Sequence, residues 1–266
     1  MNLQSGDAEI FYRVLGAGFP VVLLHPFPAS HGFWLPAAQQ LIDRYRLILP
    51  DLRAHGLSQI GGGAATMARH AEDLLRILTA ESISRAVFVG VSISGYILLE
   101  FWRRHRDRVA ALVLANTRAT ADTEEGKKKR FASIEDTRQH GPAGFLNTQV
   151  QLLIGESARR NRPDLVAKAR ELMEPMRAEN IAAAQQGMAE RPNSLPTLKT
   201  IQVPTLIIAG EEDTVTPVSD AELMRSHIAG SRMEVLPQAG HYAIFEQPEV
   251  AGRIIRRFLD SLTLSG

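Results

Sequence analysis

The chain has 266 residues, enough for one large hydrophobic core with an insertion, and its 45% hydrophobic and 22% charged content is that of an ordinary globular protein. A formal net charge of +1 provides no field for gathering nucleic acid or an anionic membrane surface. The absence of cysteine excludes disulfides, a thiol nucleophile and thiolate metal sites.

Met1 to Gly6 is polar, with no charged-then-apolar leader pattern after it, and no apolar run approaches the roughly 20 residues of a membrane helix. A cytoplasmic protein without a membrane partner is the expectation. Asp7 to Leu15 alternates, with Ile10, Tyr12 and Val14 on one face, as in a half-buried strand. Gly16-Ala17-Gly18 turns the chain, and Val21 to Leu24 is a continuous apolar run suited to a strand buried on both faces. Trp34 to Ile42 reads as a helix, Arg46 to Leu49 as a strand, and Met67 to Leu78 as a helix with Leu74, Leu75 and Leu78 inward. Ala86 to Val91 is a further strand, followed by a helix from about Ser94 to His105 and a strand from Val109 to Leu114.

The alternation then stops. Arg118 to Thr200 is rich in Ala, Glu, Arg and Lys, is broken at Gly141-Pro142, Pro163, Pro175 and Pro192, and reads as helices joined by short turns. Strands resume at Pro204 to Ile208 and Arg232 to Leu236. Gln247 to Leu262 is a closing amphipathic helix with Val250, Ile254, Phe258 and Leu262 on one stripe. Strands alternating with helices require crossovers, hence a mostly parallel sheet covered on both faces. The expected organisation is an α/β core of residues 1–117 and 201–266, interrupted by a helical cap of residues 118–200.

A candidate nucleophile lies at Gly90-Val91-Ser92-Ile93-Ser94-Gly95, where a buried strand meets a helix with almost no loop. Such a corner lifts the Ser92 hydroxyl above the sheet, and small neighbours let strand and helix pass closely. The helix N-terminus also favours a developing oxyanion. Ser94 occupies the place where the G-x-S-x-G pattern has glycine; it is the rival nucleophile, or a helix cap. A glycine-rich turn without chemistry is the bland alternative.

Serine needs a general base. Of eight histidines, His241 follows a strand through a flexible turn, Pro237-Gln238-Ala239-Gly240, at the sheet edge where catalysis occurs. His70 and His105 lie in helical patterns and are expected to be exposed; His140 and His227 follow no strand. The acid should also follow a strand, and Asp213 does, with Glu211 and Glu212 as local alternatives. No carboxylate stands in Ala115-Asn116-Thr117 after the strand ending at Leu114. For the oxyanion, such an elbow uses the N–H of the residue after the nucleophile, Ile93, and one from the loop after the first buried strand. In His25-Pro26-Phe27-Pro28 the prolines cannot donate, which leaves Phe27 between them. His25 is expected to be structural.

Over about Asp7 to Leu262 the chain resembles the α/β-hydrolase superfamily. The resemblance rests on His25 to Pro28, Asp51 to Ser58, the Ser92 elbow, Gly210 to Pro217 and Ala239-Gly240-His241, in the chain order Ser, Asp, His. Ala115 to Ala119 and Gly187 to Pro192 are similar to small carboxylesterases and 3-oxoadipate enol-lactonase-like proteins. Pro26 and Ser94 depart from the family's usual glycines. The resemblance implies a lid over the site, no cofactor and no metal. Phe131, Phe145, Leu146, Leu152, Leu153, Met173, Met176 and Met188 of the cap are candidate pocket residues, although most are expected simply to pack it on the core. Lys127-Lys128-Lys129-Arg130 reads as a solvated helix face.

The expected function is a carboxylesterase for small, uncharged esters. An enol-lactonase, a cofactor-free perhydrolase or haloperoxidase, and a carbon–carbon hydrolase are alternatives with the same triad. A ligand receptor on this fold is an alternative of another class. Haloalkane dehalogenases and epoxide hydrolases need aspartate where Ser92 stands, and the cap holds no tyrosine for an epoxide oxygen. A small-molecule ester or lactone is the expected partner, and a homodimer is the assembly such a chain could form.

Overall fold

The computed structural model describes residues 1–264, and at its centre lies an eight-stranded sheet in the order β1-β2-β4-β3-β5-β6-β7-β8. The strands are β1 (Asn2–Ser5), β2 (Ala8–Leu15), β3 (Phe19–Leu24), β4 (Tyr45–Pro50), β5 (Ala86–Val91), β6 (Val109–Ala115), β7 (Thr205–Gly210) and β8 (Arg232–Leu236). β1 and β2 pair antiparallel to their neighbours, and all later pairings are parallel. Parallel pairing brings the C-terminal ends of β3, β5, β7 and β8 to one edge, and the candidate site residues follow these ends. The central strands are continuous apolar runs because helices cover both faces; every residue of β5 and β7 is buried.

The helices of the core are α1 (Leu35–Ala38), α2 (Met67–Ala80) and α3 (Ile93–His105). Between β6 and β7 run α4 (Glu124–His140), α5 (Pro142–Leu153), α6 (Glu156–Asn161), α7 (Pro163–Met173), α8 (Ala178–Ala189) and α9 (Leu195–Leu198). The chain ends with α10 (Val218–His227), α11 (Ala243–Glu246) and α12 (Pro248–Asp260). Proline stands in the first turn of α5 and α7, where its missing N–H costs nothing. At Gly187 of α8 an added Cβ would lie 1.9 Å from the Ala65 carbonyl, so glycine lets this helix rest directly on the core backbone.

Four expectations change. β1 has no apolar alternation to announce it; instead Ser5 donates to Asp73 (2.6 Å) and Arg53 donates to the Ser5 carbonyl (3.1 Å). The expected helix from Trp34 to Ile42 is a 3-10 turn over His31–Trp34, the short α1 and then turns, with buried Phe33 and Trp34 anchoring the segment. On α12 the buried face is Ala251, Gly252, Ile255, Phe258 and Leu259, one step from the expected stripe, and Val250 is exposed. The small pair Ala251-Gly252 decides this register: a Cβ on Gly252 would lie 3.0 Å from the Ala37 carbonyl of α1. Finally, His70 is buried on α2 rather than exposed, and neither ring nitrogen has a hydrogen-bond partner. His105 is half-buried, its ring 5.2 Å from that of Phe101. Among the described residues no helix is long and apolar enough to cross a membrane.

Candidate active site

Ser92 is the last residue before α3, with φ 58° and ψ −117°. This is a left-handed conformation that a non-glycine residue adopts only when its surroundings enforce it. The enforcement is visible: Ser92 N–H donates to the Ala115 carbonyl (3.0 Å), and Thr117 Oγ1 donates to the Ser92 carbonyl (2.7 Å). A Cβ at Gly95 would meet Thr117 Oγ1 at 2.2 Å, and one at Gly90 would lie 2.9 Å from the Ser94 carbonyl carbon. Ser94 is fully buried and donates to the His25 carbonyl at 2.6 Å. The residue that departs from the elbow pattern thus ties the elbow to the loop after β3.

That loop carries Phe27. Its N–H has no hydrogen-bond partner among the described residues, while the Pro26 carbonyl closes a turn with Ala29 N–H (2.9 Å). His25 accepts from Leu52 N–H at Nε2 (2.9 Å) and donates from Nδ1 to the Pro26 carbonyl (2.9 Å). Burial pushes His25 down to about 4, so the ring is neutral and its tautomer is set by these two bonds. Ile93, whose N–H is the other expected oxyanion donor, is fully buried in the first turn of α3.

Asp213 and His241 meet across the ends of β7 and β8, with His241 Nδ1 2.8 Å from Asp213 Oδ2. Both are buried. Asp213 Oδ1 accepts from Val215 N–H (2.8 Å) and Thr216 N–H (2.9 Å), and Oδ2 accepts from Thr216 Oγ1 (2.7 Å) and Asn116 Nδ2 (2.9 Å). Burial alone would raise this carboxyl, but the facing imidazole and the ring of donors hold it well below the ordinary carboxylate range. The alternatives turn elsewhere: Glu211 accepts from Gln238 N–H (2.9 Å), and Glu212 accepts from Ser157 N–H (2.9 Å). Asn116, directly after β6 where a strand-following acid could have stood, instead supports Asp213 through its amide. Thr216 and Asn116 are partners that sequence reasoning missed, and only their positions directly after strands hinted at them.

Ser92, His241 and Phe27 line one cavity of about 320 Å³. Among the described residues the Ser92 hydroxyl makes no hydrogen bond to the imidazole; such pairs commonly tighten only with substrate present. Phe145, Leu152, Leu153 and Met188 also line the cavity, whereas Leu146, Met173 and Met176 are buried packing and Phe131 is half exposed. The basic run on α4 is not simply a solvated face. Lys129 and Arg130 both border the cavity, because Arg130 folds inward to Asp122 and to Gln185 (2.5 Å). Asp122 also pairs with Arg191 (2.7 Å), whose guanidinium lies 4.2 Å from the Tyr96 ring centre. A wider depression of about 740 Å³ runs over α12 and holds neither Ser92 nor any histidine. Among the described residues no group of three or more His, Asp or Glu side chains is placed to hold a metal ion.

The chain matches the family model described as alpha/beta hydrolase fold over residues 20–248, and it belongs to that family. It is 30% identical over 242 residues to 3-oxoadipate enol-lactonase 1 of Acinetobacter baylyi, spanning 91% of this chain and 89% of that protein. Among solved structures it is similar to a thermophilic esterase from Thermogutta terrifontis, with TM-score 0.94, 35% identity and coverage of 98% and 97% of the two chains. An enol-lactonase from Burkholderia xenovorans shares the fold at TM-score 0.91 and 23% identity, covering 98% of this chain and 100% of that one. The protein is therefore a hydrolase of this family, without a membrane-spanning helix among its described residues.

Proposed function

We propose that the protein is a carboxylic ester hydrolase that works through a Ser92-His241-Asp213 triad. The observation that carries this reading is the buried Asp213–His241 pair at 2.8 Å, facing the cavity into which the Ser92 elbow opens. The Ser92 hydroxyl attacks the ester carbonyl as His241 Nε2 takes its proton. Asp213 holds the Nδ1–H tautomer and stabilises the imidazolium. The N–H groups of Phe27 and Ile93 receive the oxyanion, and the proton passes from His241 to the departing alkoxide. Water, activated by the same imidazole, then frees the acid from Ser92. Residues 118–200 act as a lid that supplies most of the substrate contacts. A panel of p-nitrophenyl esters and lactones of graded acyl length tests this: multiple turnover on short esters is expected, and none on any of them would refute it.

A second reading, a lactonase or esterase for substrates bearing a carboxylate, is favoured by Lys129. Asp122 is matched by two arginines, and among the described residues no carboxylate lies within ion-pair distance of the Lys129 ammonium. The cavity wall facing Ser92 is thus net positive, which favours an anionic group on the substrate over the uncharged esters expected from sequence. Lys129→Ala is expected to raise KM for a carboxylate-bearing lactone or half-ester by about 5–10-fold, the magnitude of an exposed charge contact of about 1 kcal/mol. KM for the matching methyl ester should not change. Equal effects on both would remove the charge argument.

A further inference from the structure

His241 stands between two backbone amides that are both fastened to groups outside its own turn. Gly240 N–H, before it, donates to both oxygens of Glu246 (3.1 Å each). Tyr242 N–H, after it, donates to the Leu153 carbonyl at the end of α5 (2.9 Å). Glu246 Oε2 also accepts from Gly155 N–H (3.2 Å), two residues beyond Leu153. The acid loop is held by the same turn: Ser157 donates to Glu212 through its N–H (2.9 Å) and its hydroxyl, and Glu212 N–H donates to the Ala239 carbonyl (2.8 Å). Backbones meet here without side chains between them, since a Cβ at Gly155 would lie 2.6 Å from Gly240 N.

We propose that Glu246 and the Leu153–Gly155 turn are a positioning clamp for His241, through which the helical insertion sets the geometry of the base. The clamp rests on the reading of His241 as that base. Glu246 touches no reacting atom; it is a positioning residue. It is buried, and its two oxygens satisfy two amides that water does not reach. The Leu153 side chain lines the cavity while its carbonyl holds the amide after His241, so the element that contacts substrate also carries the base. Removing the carboxylate frees Gly240 and Gly155 from each other, and the imidazole loses its fixed approach to Ser92. A misplacement of about 1 Å at a reacting group is enough to cost about 100-fold in rate.

Burial pushes the Glu246 carboxyl up to about 7, aided by the negative charges of Glu212 and Asp213. A neutral group of the same shape is therefore a fair substitute, because a single carbonyl oxygen at the Oε2 position can accept from both amides. The test compares Glu246→Ala, Glu246→Gln and Gly155→Ala with the wild type on p-nitrophenyl acetate. Glu246→Ala is expected to lower kcat by about 10–100-fold with KM within about 2-fold, and Glu246→Gln to recover most of the loss. The downfield Nδ1–H proton resonance of His241 should broaden or vanish in Glu246→Ala and return in Glu246→Gln. Gly155→Ala removes no side chain of the proposed triad or clamp, but its Cβ would lie 2.6 Å from Gly240 N and 2.9 Å from Glu246 Oε2, which forces the turn off the clamp and should also lower kcat; it decides the matter if Glu246→Ala does not fold. Asp213→Asn is measured in parallel. If it is inactive while both Glu246→Ala and Gly155→Ala keep the wild-type kcat, the clamp is overturned and the triad stands. If Asp213→Asn is fully active, the triad falls and the clamp with it.

Discussion

Ser92→Ala is expected to lower kcat on short p-nitrophenyl esters by at least about 10⁴-fold without altering the circular dichroism spectrum. Its hydroxyl is the only nucleophilic atom of the elbow that faces the cavity, since Ser94 is fully buried and its hydroxyl hydrogen-bonds the His25 backbone carbonyl. Loss of a group that acts in concert with a base removes nearly the whole benefit of the triad rather than a third of it. Ser92→Gly should give the same loss of activity with a different thermal signature. The backbone at position 92 has φ 58°, which costs a residue with a Cβ about 1–3 kcal/mol and costs glycine little. Glycine also gives the unfolded chain about 1 kcal/mol of extra freedom, so the net gain is about 1 kcal/mol, or roughly 2–4 °C in Tm. Calorimetry of the two variants separates strain from chemistry: a Ser92→Gly protein no more stable than Ser92→Ala would show that the elbow stores no more strain than the roughly 1 kcal/mol that glycine's freedom offsets.

The second large effect is on stability in mild acid. Burial holds His25 down at about 4 and His55 at about 3, and pushes His70 well below 6.5. In the folded protein these rings stay neutral where the unfolded chain takes up protons. Their contribution is therefore fully present above pH 6.5 and is lost as pH falls through the acid range, for His25 and His55 by about 3–5 kcal/mol each between 6.5 and their folded values of about 4 and about 3. Glu246 has the opposite sign. Raised to about 7, it favours folding below its ordinary 4.5 and loses that contribution as pH rises toward 7. It offsets one histidine over that window, so stability still falls on acidification. Urea midpoints between pH 7.5 and 4.5 measure this directly. His70→Leu is the sharpest variant, because both its ring nitrogens are buried without partners. It should flatten the acid slope by about one proton, 1.4 kcal/mol per pH unit, and raise stability at pH 5. An unchanged slope would mean that His70 does not resist protonation in the folded state.

The strands and the places of the candidate site residues are easier to read from sequence than the surfaces around them. Strands β5 and β7 lie where the apolar runs put them, because a strand buried in a parallel sheet needs little beyond continuous hydrophobicity. Asp213 and His241 come together because parallel strands deliver both following loops to the same edge, a constraint of topology that spacing reveals. What escaped was set by contacts between distant segments. β1 is held by the buried Arg53 and Asp73 rather than by its own pattern. The face of α12 was displaced by a glycine contact with α1, which periodicity cannot see. His70 resembles any polar residue on a helix until the folded chain buries it. Arg130 looked like part of a solvated run because its partners, Asp122 and Gln185, lie on other segments.

Most side chains lining the cavity come from one uninterrupted stretch, residues 122–188, while Ser92, Asp213 and His241 lie outside it. If the proposed triad does the chemistry, a change of substrate range can arise from a single contiguous replacement of coding sequence, with those three residues inherited untouched. Two points limit which donor stretches would graft. The incoming segment must keep a glycine where α8 rests on the Ala65 carbonyl, and it must present a carbonyl and two amides where Leu153, Gly155 and Ser157 meet the sheet edge. Recombination among relatives would succeed or fail at these few backbone atoms, whatever side chains the new lid brings.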